Sequence, residues 1–287
     1  MYYEVMEHFK ISYSNRPEAF HAIPLETGNY LVSGAIGKIG GEICKYLASN
    51  TESTVYAGTK SLTRFSSSEL SQYSNVKPLL LGENEFIRAE KFFTPELEIK
   101  GVVHCEGSYG ELGELATIDL DLWIENLSIY LKRTISMINW MSSGTQISQV
   151  SSIFLGGGGA SEAYVGLSNY GVMKSSLVRL IETAAQEISI DKLTLNVLGP
   201  GPTNSQMVDQ VIGSDKVIDQ RIVDASISLH ASSKGVSERV FRAIDFLFSE
   251  EGRKLSGLFL SAEWDDFNRL GVKENNSYKL RRVIPLD

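Results

Sequence analysis

Short runs of β-branched and other apolar residues alternate along this chain with longer stretches in which apolar side chains recur every three or four positions. That order predicts a parallel sheet covered by helices on both faces. Strands are expected over residues 30–33, 54–58, 76–81, 101–105, 147–151, 193–198 and 257–261, with Pro78 weakening the third because it has no N–H for a sheet ladder. One helix face is expected from Leu120, Ile124, Leu127, Leu131, Ile135 and Ile138, and another from Met173, Leu177, Ile181, Ala184 and Ile188. The fold class read from this pattern is α/β: a doubly wound, Rossmann-type sheet of seven parallel strands flanked by helices.

The sequence shows no internal repeat, low-complexity tract or Pro/Ser-rich linker, so 287 residues read as one domain. Residues 1–28 have no clear period and form an N-terminal extension. Residues 29–262 form the dinucleotide-binding catalytic domain, and residues 263–287 form a C-terminal tail. A net charge of -8 argues against a surface built for nucleic acid or anionic lipid. There is no apolar run of about 18 residues, the length a membrane span needs, and the first ten residues carry acidic side chains where a signal peptide has none. Cys44 falls in a helical stretch and Cys105 in a strand, as free thiols of a reducing compartment do. The expected location is the cytoplasm.

Directly after the first strand runs Ser33-Gly34-Ala35-Ile36-Gly37-Lys38-Ile39-Gly40, and Ile39, Ile43 and Leu47 then begin a helix. Glycines at such a strand-to-helix turn let the chain reverse tightly and let a pyrophosphate approach the backbone, where the helix's free N–H groups hold it. Gly37-Lys38 is not a nucleoside-triphosphate loop, because Ile39 stands where that motif needs a Ser or Thr for magnesium. At the end of the second strand an acidic residue would bind the ribose hydroxyls of NAD. Here the stretch is Thr59-Lys60-Ser61 with Arg64 close by, which favours NADP over NAD. No metal is assigned to the site.

Tyr170 and Lys174 stand four apart on one predicted helix, so they project from the same face. A free phenol with a pKa of about 10 is a reluctant acid-base group at neutral pH, and a nearby ammonium and an oxidised nicotinamide can bring it down. Ser151 and Ser152 end the preceding strand, where a hydroxyl can donate to a carbonyl oxygen, and Asn126 interrupts the apolar face of the helix before that.

With these elements in hand the chain resembles the short-chain dehydrogenase/reductase family over residues 29–262. The resemblance is carried by SGAIGKIG, by Asn126 in WIENL, by Ser152 in VSS, by YGVMK, and by Pro200-Gly201-Pro202 after the sixth strand. It implies that Tyr170 protonates a carbonyl oxygen as hydride arrives and that Ser152 polarises the same oxygen. It also implies that Lys174 binds the nicotinamide ribose and lowers the phenol's pKa, and that Asn126 holds a water serving the lysine. The cofactor would lie against Ser33, Gly34, Ile36, Gly37, Ile39, Gly40, Thr59, Lys60, Ser61, Cys105, Gly107, Tyr170, Lys174, Pro200, Gly201 and Thr203. A homodimer or homotetramer is implied as well.

The sequence departs from the family pattern in places. The spacing of Gly34, Gly37 and Gly40 is that of the branch holding sugar-nucleotide epimerases and dehydratases. His104-Cys105-Glu106-Gly107 stands where relatives have Asn-Asn-Ala-Gly, and His104 is read as structural. The gap from Ser152 to Tyr170 is several residues long, reads as an insertion lining the substrate pocket, and leaves Ser151 a rival for the serine role. Its glycine-rich start is similar to reductases implicated in carbohydrate biosynthesis. Asn204, Gln206, Asp209 and Gln210 give the loop after Pro202 a polar character. The expected activity is hydride transfer between NADP and the carbonyl or hydroxyl of a small polar, sugar-like substrate. The alternatives are an epimerase or dehydratase of the same family and a nonenzymatic dinucleotide-binding protein.

Overall fold

The computed structural model describes residues 23–81, 97–144, 148–267 and 270. Seven strands form one fully parallel sheet: β1 (Asn29–Ser33), β2 (Val55–Thr59), β3 (Val76–Leu80), β4 (Ile99–His104), β5 (Val150–Leu155), β6 (Leu193–Gly199) and β7 (Phe259–Ser261), in spatial order β3-β2-β1-β4-β5-β6-β7. The helices are α1 (Lys38–Asn50), α2 (Leu62–Ser66), α3 (Leu120–Ser143), α4 (Ser168–Glu187), α5 (Gln206–Ile212), α6 (Gln220–Ser232) and α7 (Glu238–Phe248). The doubly wound α/β fold expected from the sequence is the one observed. Most of the N-terminal extension, the start of the expected fifth strand at Ile147, and nearly all of the C-terminal tail lie outside the described residues.

Chain order reverses direction across the sheet between β1 and β4, and in such sheets a crevice opens there at the carboxyl ends of the strands. Each face carries its own apolar layer. One is built on Ile43 and Leu47 of α1 with Ile244, Leu247 and Phe248 of α7. The other is built on Met137 and Met141 of α3 with Met173, Leu177 and Ile181 of α4. The central strands therefore read as continuous apolar runs. Pro78 is accommodated because, among the described residues, β3 is an edge strand, paired only with β2.

Two expectations fail here for physical reasons. The fifth strand runs to Leu155 rather than ending at Ser151, because β5 pairs with β6 out to Leu198 and both faces are covered. Ser151 and Ser152 are small hydroxyl residues of the kind that usually end a strand, yet here the strand carries them fully buried. On α3, Leu127, Leu131 and Ile138 pack on the core as expected, whereas Leu120, Ile124 and Ile135 are exposed and the rest of the core contact comes from Tyr130, Thr134, Met137, Trp140 and Met141. Two apolar stripes run along this helix, and periodicity by itself does not rank them.

Candidate active site

The carboxyl ends of β1, β2 and β4 and the face of α3 enclose a cavity of about 470 Å³. Its floor is the glycine turn. Gly34 has φ +68, a left-handed conformation that favours glycine, and the Gly37 amide donates to the Gly34 carbonyl at 2.9 Å. A β-carbon at Gly40 would run into the backbone of Gly34, so only glycine lets α1 start this close to β1. Gly37 caps α1 with no side-chain hydrogen bond, and the first turn holds no acidic residue. The opening amides of a 13-residue helix thus carry no carboxylate of their own first turn, the arrangement that suits a helix N-terminus to an anion. Gly34, Ile36 and Gly37 line the cavity, whereas Ile39 packs on the core beneath it. The Ser33 hydroxyl is engaged by His104 Nδ1 at 2.7 Å.

At the end of β2, Thr59, Lys60, Ser61 and Arg64 line the same cavity. The Thr59 hydroxyl and the Ser61 main chain bond each other, and Ser61 Oγ accepts from the Arg64 amide at 3.2 Å. This turn is therefore set by its own short side chains and presents two cations. Beyond β4, Cys105 and Gly107 lie along the wall, and the Glu106 carboxylate is paired with Arg133 of α3 at 3.1 Å. The Cys105 thiol is pushed up by burial, so it is a neutral wall rather than a nucleophile. Burial pulls the His104 imidazole down to about 4, so it is neutral, and its ring tilts at 53° against Phe154 at a centroid distance of 5.2 Å.

Lys174 is nearly sealed, at 4% exposure. Its Nζ donates to the Leu155 carbonyl at 2.9 Å, which is why β5 must reach Leu155 before the site can form. Burial pulls its amine down to about 8. Tyr170 lies against the glycine run that follows β5: a β-carbon at Gly157 would overlap its hydroxyl, one at Gly159 would overlap its ring, and the Gly159 amide hydrogen-bonds its oxygen. The Tyr109 ring meets it edge-on at 5.0 Å. Burial pushes the Tyr170 phenol above its ordinary range, with Tyr109, Tyr164 and Tyr130 adding to the effect. The lowering expected from Lys174 is not what this environment produces, because desolvation outweighs the other effects.

One assigned role, that of the serine, is corrected by this geometry. Ser152 is fully buried in mid-strand, and its Oγ donates to the Thr194 carbonyl at 2.6 Å; Ser151 Oγ donates to the Leu247 carbonyl at 2.7 Å. The position beside the Tyr170 hydroxyl is Gly157, five residues or about 16 Å further along an extended chain. The first residues of the long gap before Tyr170, Ile153–Leu155, are thus strand, and Gly157 beyond them carries no hydroxyl. Asn126 lines the cavity, but its amide is given back to the Leu122 carbonyl at 2.9 Å; the α3 side chain that reaches Lys174 is Tyr130. Sequence reading missed Tyr130 because an aromatic residue on an apolar helix face looks like core. The signal that existed was its place one turn beyond Asn126, facing α4.

Pro200, Gly201 and Thr203 form the turn after β6, with Gly201 at φ +74 and Thr203 buried. Residues 90–262 match the family model described as Enoyl-(Acyl carrier protein) reductase. The chain belongs to the short-chain dehydrogenase/reductase family. Members of this family are NAD(P)-dependent oxidoreductases. Solved short-chain dehydrogenases share its fold at low identity. One from Shigella flexneri, complexed with NADP, is 16% identical, with a TM-score of 0.67 over 84% of this chain and 99% of that one. A short-chain type dehydrogenase/reductase from Mycobacterium ulcerans is 17% identical, with a TM-score of 0.68 over 89% and 98%. A glucose/ribitol dehydrogenase of the family from Brucella melitensis is 18% identical, with a TM-score of 0.67 over 84% and 97%. No curated protein sequence matches the chain.

Proposed function

We propose that this member of the short-chain dehydrogenase/reductase family is an NADP-dependent oxidoreductase acting on the carbonyl or hydroxyl group of a small polar, sugar-like substrate. The observation that carries the reading is the pair of half-buried Tyr170 and buried Lys174, the lysine standing behind Gly107 and Tyr130 in the wall of a glycine-floored cavity whose far end presents Lys60 and Arg64. The residues fit the dinucleotide. Gly34, Ile36, Gly37 and Gly40 with the α1 amides hold its pyrophosphate, and Thr59, Lys60 and Ser61 hold the phosphorylated ribose. Cys105 and Gly107 run beside it, Lys174 takes the second ribose, and Pro200, Gly201 and Thr203 border the nicotinamide. The Shigella flexneri relative, complexed with NADP, supports this choice of cofactor.

When bound, the dinucleotide donates or accepts the hydride. The chain's own part is proton handling and placement. Burial keeps the Tyr170 phenol protonated, so its hydroxyl is a donor for a substrate oxygen. Position 157 is a glycine, so the serine assigned to polarise that oxygen is absent from its place, and Tyr170 with the amides of the glycine run does the positioning. That missing hydroxyl favours one second reading, dinucleotide binding without turnover. We also assign residues 1–28 and 263–287 to extensions of a single catalytic domain, and the protein to the cytoplasm, where the unpaired Cys44 and Cys105 stay reduced. Among the described residues no helix is long and apolar enough to cross a membrane. The exposed Leu120, Leu122, Ile124 and Ile135 on α3 support a homo-oligomer, which light scattering tests.

The deciding experiment is a fluorescence titration with NADPH and NADH, followed by a panel of sugar and small polar carbonyl compounds watched through NADPH consumption. Tighter binding of NADPH and turnover of one compound support the reading; binding without consumption supports the second reading, and failure to bind either dinucleotide overturns both.

A further inference from the structure

Tyr130 is 7% exposed, yet it belongs to the cavity wall as well as to the core. Lys174 Nζ donates to its hydroxyl at 3.5 Å and stands 5.3 Å from its ring centroid. Both contacts favour the ammonium over the amine: the oxygen accepts an N–H, and the ring face is the negative end of a quadrupole. Of the three ammonium hydrogens, the Leu155 carbonyl takes one and Tyr130 a second. The third is left for a ligand, and the wall is thin where it points, since a β-carbon at Gly107 would lie only 3.3 Å from Nζ.

We propose that Tyr130 is a positioning residue of this site, whose phenol holds the Lys174 ammonium charged and aimed at the cavity. The proposal rests on the reading of Tyr170 and Lys174 as the reacting pair. Tyr130 itself stays a neutral phenol, because burial pushes it well above its ordinary range, so it acts through its dipole and ring rather than as a charge. The other titratable groups around Lys174 are His104 and Cys105 at the end of β4, with the Glu106–Arg133 pair beyond them, and Tyr170 on its own helix. Glu106 and Arg133 neutralise each other at 3.1 Å, and His104 and Cys105 are uncharged at neutral pH, so Tyr130 is the side chain that, beside the main-chain carbonyl of Leu155, favours the charged lysine.

The test follows the Lys174 side-chain resonances of the full-length, ligand-free protein through a pH titration by NMR, in wild type and Tyr130→Phe. The expected result is a Lys174 pKa lower by roughly half a unit or more in Tyr130→Phe, because the acceptor oxygen is gone. NADPH affinity should fall more at pH 8.5 than at pH 6.5. Tyr130→Gln, which restores an acceptor oxygen without the ring, should recover part of the shift. In wild type, Lys174 must show a nuclear Overhauser contact to the Tyr130 ring, a reading that needs no variant to fold. An unshifted Lys174 titration in Tyr130→Phe, or absence of that contact, overturns the proposal. If NADPH fails to bind wild type, the cofactor reading fails instead, and the ligand-free titration still decides the role of Tyr130.

Discussion

Replacing Lys174 with methionine removes a buried ammonium while keeping an unbranched apolar stem in its channel. In the fold, burial pulls this amine from 10.5 down to about 8. The unfolded chain keeps the ordinary value, so between those two pH values unfolding takes up a proton, and stability rises with pH across that window. At about 1.4 kcal/mol per unit, the ammonium costs the fold about 3 kcal/mol at pH 7 and about 1.4 kcal/mol at pH 9.5. Methionine carries no such dependence. The unfolding free energy of Lys174→Met relative to wild type is therefore expected to be about 2 kcal/mol higher, that is more stabilised, at pH 7 than at pH 9.5. Losing the donor to the Leu155 carbonyl adds a pH-independent penalty of about 1–3 kcal/mol, so the change with pH, rather than the absolute difference, carries the reading. Urea denaturation at the two pH values measures it, and the tyrosines and other titrating groups cancel because both proteins share them. A difference that stays constant within about 0.5 kcal/mol would refute the assignment of Lys174 as a buried, desolvated ammonium.

Ser152→Ala is expected to cost about 1 kcal/mol in urea denaturation, for the lost bond to the Thr194 carbonyl, and to leave NADPH consumption within about twofold of wild type; a collapse of turnover in a stably folded variant would return Ser152 to the catalytic group. Gly157→Ala places a methyl where the Tyr170 hydroxyl lies, so it should cost about 1–3 kcal/mol of stability and abolish turnover while NADPH still binds; unchanged turnover would show that Tyr170 does not work from this position. Lys60→Ala should weaken NADPH binding about tenfold and leave NADH binding unchanged, read by fluorescence titration; equal losses for both would mean that Lys60 does not recognise the ribose phosphate.

Local pattern determined a great deal about this protein. The alternation of strand and helix, the glycine turn after β1, the cations after β2 and the four-residue spacing of Tyr170 and Lys174 all depend on near neighbours in the chain, and each is where periodicity and turn chemistry put it. What the tertiary structure decided is which side chains meet across elements. Ser151 and Ser152 look like a strand end because hydroxyl residues are uncommon in a fully buried strand. Only pairing of β5 with β6, and acceptors on Thr194 and Leu247, shows them to be interior and satisfied. Gly157 carries no chemistry of its own and becomes legible only when the Tyr170 hydroxyl is seen beside it. Asn126 and Tyr130 are one helical turn apart, and both line the cavity; the rotation of α3 against α4, set by packing around Met137 and Leu177, is what gives the lysine to the tyrosine. Spacing along a chain specifies which residues share a face, whereas the packing of faces, governed by buried area and by acceptors from distant strands, selects which of them reach the reacting atoms.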